Sequence, residues 1–196
     1  MQKYTIQQGF GPVHRAAAAA LYWRSFRGKL GKLMGPDARA LAYFEIAMDP
    51  SYVFCAIGAD DTLLGLAGFK TGNGSLTGGA LRDMTGAYGW VGGTWRALFL
   101  SFLEREVQPG VLLMDGICVS PAARSQGVGT ALLSAVKEHA RHSGLNSVRL
   151  DVIDRNPRAR ALYEREGFVA TGRVRTGLLE PVFGFRAATT MERSVG

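Results

Sequence analysis

The stretch at residues 117–133 constrains the fold most, because it joins three kinds of local structure in a fixed order. Its first three residues are apolar and indicate the end of a buried strand, which Pro121 stops. The next segment, 124–130, carries two glycines, and apolar side chains then recur through 128–140 with the spacing of a helix. The pattern therefore predicts a strand that runs through a glycine-bearing loop into a helix.

The predicted start of this helix suits the binding of an anion. The first N–H groups of a helix have no partner within the helix, and they lie at the positive end of its dipole. Gly127 and Gly129 leave room beside these groups, and Arg124 adds a full positive charge. The loop therefore predicts a cradle for a diphosphate. Glycines that serve only a tight turn explain the same residues, so both interpretations stay open from the loop alone.

Two common phosphate-binding motifs do not fit this loop. A dinucleotide fingerprint requires a third glycine where the chain has Leu132. A nucleotide-triphosphate loop requires Gly-Lys followed by Ser or Thr, and the loop lacks that triplet. Neither motif therefore identifies the ligand.

Two blocks of sequence resemble one family. The pattern Arg-x-x-Gly-x-Gly at 124–129, after Ile-Cys-Val and before Ala-Leu-Leu, resembles the coenzyme A signature of GNAT-type N-acetyltransferases. The segment 156–168 resembles the Asn-x-x-Ala-x-x-Leu-Tyr-x-x-x-Gly-Phe segment of the same family. The two blocks have the family's order and separation, and the resemblance covers about residues 112–170.

The resemblance implies an α/β fold with a central mixed, mostly antiparallel sheet. In that family about seven strands flanked by helices form the sheet, and its central parallel pair splays apart. The strand–helix–strand pattern across 112–153 independently predicts a parallel pair, because such crossovers are right-handed. A hairpin at 52–70 predicts antiparallel neighbours. A length of 196 residues favours a single domain over 1–196.

The resemblance also implies a binding site for acetyl coenzyme A (acetyl-CoA), a co-substrate, in the gap between the splayed strands. Backbone groups at the end of the first strand would bind the pantetheine arm, and the glycine loop would surround the pyrophosphate. The segment after the second strand would contact the cofactor arm. The residues implied to contact the cofactor are Ile117, Cys118, Val119, Arg124, Ser125, Gln126, Gly127, Val128, Gly129, Thr130, Asn156, Ala159 and Tyr163.

Two residues are candidates for proton transfer. The resemblance implies Tyr163 as the general acid for the departing thiolate, although a tyrosine that only packs the short helix is the alternative. An acceptor amine must first lose a proton, and the resemblance implies a carboxylate or a water-holding polar group on the first strand near the thioester. Asp115 is the expected base, and strand alternation places it on the face of Ile117 and Val119. Asp151 on the neighbouring strand and a water chain remain alternatives.

The function implied is transfer of an acetyl group from acetyl-CoA to a primary amine by direct attack on the thioester. A small molecule, a peptide and a protein all remain open as the acceptor. A non-catalytic module that binds or senses coenzyme A is the alternative, and Tyr163 disfavours it because a binder does not need the hydroxyl. The oligomeric state is open, a homodimer included.

Composition excludes several other classes. The net charge of +7 can attract nucleic acid, but the basic residues are scattered without aromatic platforms, which argues against that partner. No apolar run is long enough to span a bilayer, and the first residues lack a signal-peptide pattern, so we expect a cytoplasmic protein without membrane contact. The three histidines lack metal-ligand spacing, so no metal is expected. Cys55 and Cys118 are expected as reduced core residues.

Two glycine-rich runs predict loops. The run 28–35 indicates a loop or a frayed turn between two helices, and 71–93 predicts a long structureless loop whose role is open. Thr94 is then the predicted N-cap of the following helix. Gly65 and Gly68 within a predicted strand indicate that a neighbouring element approaches the backbone closely.

Overall fold

A computed structural model describes residues 3–78, 81–101, 107–177, 180 and 184–196 of the chain. Within these ranges the strands are β1 (Tyr4–Gln8), β2 (Val53–Gly58), β3 (Leu63–Thr71), β4 (Gly74–Ser75), β5 (Val111–Val119), β6 (Ser147–Ile153), β7 (Val169–Arg175) and β8 (Ala187–Ser194). The helices are α1 (Arg15–Met34), α2 (Asp37–Ala47), α3 (Leu81–Tyr88), α4 (Trp90–Ser101), α5 (Val128–His142) and α6 (Pro157–Arg165). None of these helices is both long and apolar enough to cross a membrane.

The strands form one mixed sheet in the order β1-β2-β3-β5-β6-β8-β7, and the two-residue strand β4 pairs with β3. Strands β5 and β6 are parallel, with α5 as the crossover between them. Every other strand pair in the described part of the chain is antiparallel. The predicted fold class, a mostly antiparallel α/β sheet with a parallel central pair, is therefore confirmed. The short β4 makes it a sheet of eight strands.

Apolar side chains cover both faces of the sheet. One buried cluster lies under α1 and α2 and includes Trp23 and Phe44. The other lies under α5 and α6 and includes Leu132 and Leu150. Because the cluster under α5 and α6 holds residues from strands on both sides of the β5–β6 contact, packing on that face can join the halves of the sheet where hydrogen bonds between strands are few.

Helix α1 is longer than the sequence predicts. The glycine-bearing run at 28–35, predicted as a loop, continues α1 as far as Met34. Leu33 is 4% exposed and Met34 is fully buried. Burial of this last turn offsets the helix-weakening effect of Gly28 and Gly31, which local propensity alone does not reveal.

The glycine-rich segment 71–93 is not the structureless loop that the sequence predicts. It contains β4, α3 and the first turn of α4, which begins at Trp90 rather than at Thr94. A Cβ atom on Gly93 would lie 2.5 Å from the Cα atom of Thr85. Glycine thus lets α4 cross α3 at close range, and tertiary packing overrides the low helix propensity of the segment.

Helices α3 and α4 hold the corner between α1 and α2. The Tyr88 hydroxyl donates a hydrogen bond to the backbone oxygen of Met34. The Arg96 guanidinium donates to the backbone oxygen of Leu33 at 2.7 Å and lies 4.4 Å from the centroid of the Tyr88 ring. Because a cation at a helix C-terminus interacts favourably with the dipole, Arg96 stabilises the end of α1.

Helix α5 packs directly onto β3 at Gly65. A Cβ atom there would lie 3.0 Å from the backbone oxygen of Cys118, 3.0 Å from Val128 Cγ1 and 3.1 Å from Leu132 Cδ1. On the other face, a Cβ atom on Gly68 would lie 2.4 Å from a methyl carbon of Leu76. The close approach predicted for this strand is therefore confirmed at both glycines.

We expect the substitution Gly65→Val to lower the free energy of unfolding by about 1–3 kcal/mol, because the added methyl groups overpack the α5–β3 contact. Urea unfolding at equilibrium measures the change. Gly172→Val is the matched control, since its Cβ would meet only Thr190 of the neighbouring strand at 3.7 Å. Equal stability of the two variants would show that α5 does not rest on β3 as described.

Candidate functional site

The parallel strands β5 and β6 touch along only part of their length. They pair at three successive positions, from Val111 with Ser147 to Leu113 with Arg149. Beyond that point β5 continues to Val119, and no further pairing with β6 occurs among the described residues. The β5 edge that faces β6 therefore carries backbone groups that can bind a ligand as an added strand does.

A bulge in β5 lies beside this gap. On the β3 side, Phe69 pairs with Met114, and the preceding β3 residue pairs with Gly116. Asp115 is therefore an extra residue on β5 without a counterpart on β3. A bulge bends a strand and re-aims its side chains, which accounts for the separation of β5 from β6 beyond this point.

The bulge overturns the predicted face of Asp115. Gly116 faces α1, whereas Ile117 and Val119 pack against the cluster under α5. Burial of Tyr22 on α1 raises its pKa, and the charge of Asp115 raises it further. The Asp115 carboxylate therefore lies on the α1 side as well. The prediction that Asp115 shares a face with Ile117 and Val119 is therefore wrong, because the extra residue breaks the alternation.

The loop at the open end of the gap leaves the start of α5 accessible. Gly127 precedes the helix with φ +80°, a left-handed conformation that favours glycine, and no side chain caps the first N–H groups. The first helical bond in this region runs from Ala131 N–H to Gly127 O at 3.0 Å. The N–H groups before Ala131 therefore have no partner within the helix, as an anion site requires.

Gly129 brings three elements of the site together. A Cβ atom on Gly129 would lie 3.1 Å from Leu162 Cδ2 on α6 and 3.9 Å from side-chain carbons of Ile117 and Val119. The glycine therefore serves the close packing of α5 against α6 and β5. An ion pair of Lys137 with Glu166 at 2.9 Å also ties α5 to the end of α6.

Tyr163 on α6 reaches towards Cys118 on β5. The Tyr163 side chain is 5% exposed, and its ring lies 5.9 Å from that of Phe168. Burial, with a smaller contribution from Cys118, raises the pKa of Tyr163. Tyr163 therefore keeps its proton at neutral pH and is buried near Cys118 of β5.

Comparison with known proteins assigns the family. The sequence model of the acetyltransferase (GNAT) family matches residues 16–168, a range that includes the bulge, the glycine loop and both strands of the gap. The chain belongs to the GNAT acetyltransferase family.

Individual relatives are distant. An uncharacterised N-acetyltransferase of Bacillus subtilis, YhfO, is 36% identical over 58 residues, and the match spans 30% of this chain and 39% of that protein. A GCN5-related N-acetyltransferase from Kribbella flavida superposes with a TM-score of 0.63 over 98% of both chains at 18% identity. A Bacillus anthracis protein described as a streptothricin acetyltransferase, in complex with acetyl coenzyme A, reaches a TM-score of 0.50 over 72% of this chain and 61% of its own, at 15% identity. At 15–18% identity, these two superpositions show that the fold is shared.

Several other residues predicted to contact coenzyme A lie in the loop before α5 or at the start of α6. Asn156 begins α6, and its side-chain oxygen accepts a hydrogen bond from Ala159 N–H at 3.2 Å, so its carboxamide already serves as the N-cap of the helix. Gln126 donates from Nε2 to the backbone oxygen of Ala122 at 2.8 Å. The loop residues at the open end are exposed except for Val128 and Gly129, and the exposed ones are Arg124, Ser125, Gln126, Gly127 and Thr130.

The two candidate bases have different surroundings. Asp115 is half-buried at the bulge, beside α1. Asp151 on β6 accepts a hydrogen bond from the Thr190 hydroxyl at 2.7 Å. Both carboxylates lie on strands that border the gap, at the end where the two strands still pair.

Three side chains of α1 border the bulge, and the sequence does not predict their place in the site. Ser25 forms a hydrogen bond with Cys118, and burial raises the pKa of the Cys118 thiol to about 12. Tyr22 and Phe26 lie one helical turn apart, with their ring centroids separated by 4.4 Å. Their i, i+4 spacing predicts a shared helix face, but only the structure shows that this face meets the bulge.

The thiols and histidines form no metal centre in the described part of the chain. No group of three or more His, Cys, Asp or Glu side chains there is arranged to hold a metal ion. Cys55 and Cys118 are both buried free thiols, as predicted.

Proposed function

We propose that the chain transfers an acetyl group from acetyl-CoA to a primary amine of a small molecule, a peptide or a protein. The gap between β5 and β6 supports this proposal best, because it leads from the accessible start of α5 along an open strand edge to Tyr163. The N–H groups at the start of α5 and the charge of Arg124 suit a pyrophosphate. The open backbone edge at Ile117–Val119 suits an amide-bearing pantetheine arm.

The reaction needs an unprotonated amine nitrogen. An alkyl amine with a pKa near ~10.4 is protonated at neutral pH, and removing its proton at pH 7 costs roughly 4–5 kcal/mol. A carboxylate base can accept this proton as the nitrogen attacks the thioester carbon. Asp115 is the proposed base, because it lies on the α1 side of the bulge at the closed end of the gap. Asp151 and a water chain remain the alternatives.

The departing sulfur needs a stabilising partner when the carbon–sulfur bond breaks. A thiol has a pKa near ~8.5 and a phenol near ~10, so complete proton transfer from tyrosine is already unfavourable. Burial raises the pKa of Tyr163 and makes that transfer less favourable still. Tyr163 is therefore proposed to donate a strong hydrogen bond to the developing thiolate, and the released thiolate then takes up a proton from the site or from solvent.

We expect Tyr163→Phe to lower kcat by roughly 10²-fold, because only the hydroxyl is lost. An amine-panel screen that detects free coenzyme A identifies an acceptor, and steady-state kinetics with that acceptor measure the change. Acetyl-CoA affinity and melting temperature serve as controls, since the ring and its packing remain. Unchanged kcat with lower stability would make Tyr163 a packing residue. Binding of acetyl-CoA without turnover of any amine would favour the non-catalytic module.

We expect Asp115→Asn to lower kcat by roughly 10²-fold and to abolish the acidic limb of the pH–rate profile, because the amide cannot accept the proton. Asp151→Asn is the matched control on the neighbouring strand, where the amide oxygen can still accept the Thr190 hydrogen bond. If Asp115→Asn keeps both rate and pH profile, the assignment is wrong. A loss confined to Asp151→Asn would transfer the role to that residue.

A further inference from the structure

The gap between β5 and β6 has an open end and a closed end. The start of α5 and Val119 mark the open end, and the pair Leu113–Arg149 closes the other. A chain-like ligand that enters beside α5 and follows the edge of β5 therefore has its far end beside Asp115 and Gly116. Tyr163 and Cys118 border the path just before that point.

An aromatic ring occupies the space next to the closed end. A Cβ atom on Gly116 would lie 2.3 Å from Phe26 Cζ and 3.1–3.2 Å from the two neighbouring ring carbons. The ring therefore rests on the backbone of the bulge, at a position that only glycine allows. Gly116 has φ +156°, at the edge of the region that side chains rarely adopt.

The position of Phe26 is fixed by its neighbours. The Tyr22 ring lies 4.4 Å away between centroids, and Tyr22 itself is 6% exposed and packs against Phe44 at 5.0 Å. Phe26 is half-buried and packs against the same cluster. A side chain held between a buried aromatic pair and a strand cannot move aside without disturbing the core.

We propose that Phe26 limits the length of the acyl group that the chain accepts. This inference rests on the proposed function, because it takes an acyl thioester to lie along β5. An acetyl group at the far end of this path would end beside the ring of Phe26, which lies against Gly116, and each further methylene would meet that ring. In apolar pockets of enzymes, one methylene changes selectivity by about 10–200-fold.

The test compares binding of acetyl-, propionyl- and butyryl-CoA by calorimetry, which requires no acceptor. For the wild-type chain we expect butyryl-CoA to bind at least about tenfold more weakly than acetyl-CoA. Phe26→Ala removes the ring, and Phe26→Leu removes part of it with less risk to folding. We expect the butyryl-to-acetyl ratio of Kd values to fall by about tenfold or more in Phe26→Ala and by less in Phe26→Leu.

Phe54→Leu is the matched control. Phe54 is also half-buried, but it lies on the opposite face of the sheet, where its ring packs 5.8 Å from Phe69 and 5.6 Å from His139. We expect this variant to keep the wild-type ratio. An equal shift in Phe54→Leu would indicate general loosening and would overturn the proposal, as would an unchanged ratio in Phe26→Leu and Phe26→Ala.

The wild-type measurement separates this inference from the function on which it rests. If acetyl-CoA does not bind, both the proposed function and the acyl limit fail. If acetyl-CoA binds and butyryl-CoA binds equally well, the proposed function stands and the role of Phe26 is rejected. If Phe26→Ala does not fold, the ratio in Phe26→Leu decides.

Discussion

The structure depends on the short contact between β5 and β6. Three residue pairs, ending at Leu113 and Arg149, join the two halves of an eight-stranded sheet. The bulge at Asp115 then turns β5 away, so the strand edge beyond it faces a gap rather than a neighbour. Unpaired backbone groups in a protein interior are unfavourable unless another molecule satisfies them, and a bound ligand can do so.

Because hydrogen bonds join the halves at so few positions, packing must keep the gap at a constant width. Helix α5 supplies this on one face, through Gly65 on β3 and through Gly129 against α6. On the other face helix α1 packs against β3 and β5, with Phe26 on the bulge, and so holds the β5 side of the gap. Arg96 in turn fixes the end of α1 from α4. The glycines at these contacts let elements approach closely, and two of them, Gly65 and Gly116, lie outside the glycine loop.

The sequence predicts the centre of this arrangement well and its surroundings less well. The loop before Val128 and the cap at Asn156 carry strong local signals, so the strand, loop and helices around them follow from the residues themselves. Helices α3 and α4 do not, because tertiary contacts such as that of Gly93 with Thr85 overcome their glycine content. A single inserted residue at Asp115 reverses strand alternation, and the neighbouring Gly116 indicates a bulge without showing which residue is the extra one.

Hydrogen exchange with and without acetyl-CoA tests most directly whether the open edge of β5 binds the cofactor. At a ligand concentration of one hundred times Kd, exchange should slow by up to about 100-fold at the amides of β5 that face β6 and at the first turn of α5. The amides of the exposed strand β7, Val169–Arg175, should exchange at unchanged rates. Binding of acetyl-CoA without added protection along Ile117–Val119 would contradict the account.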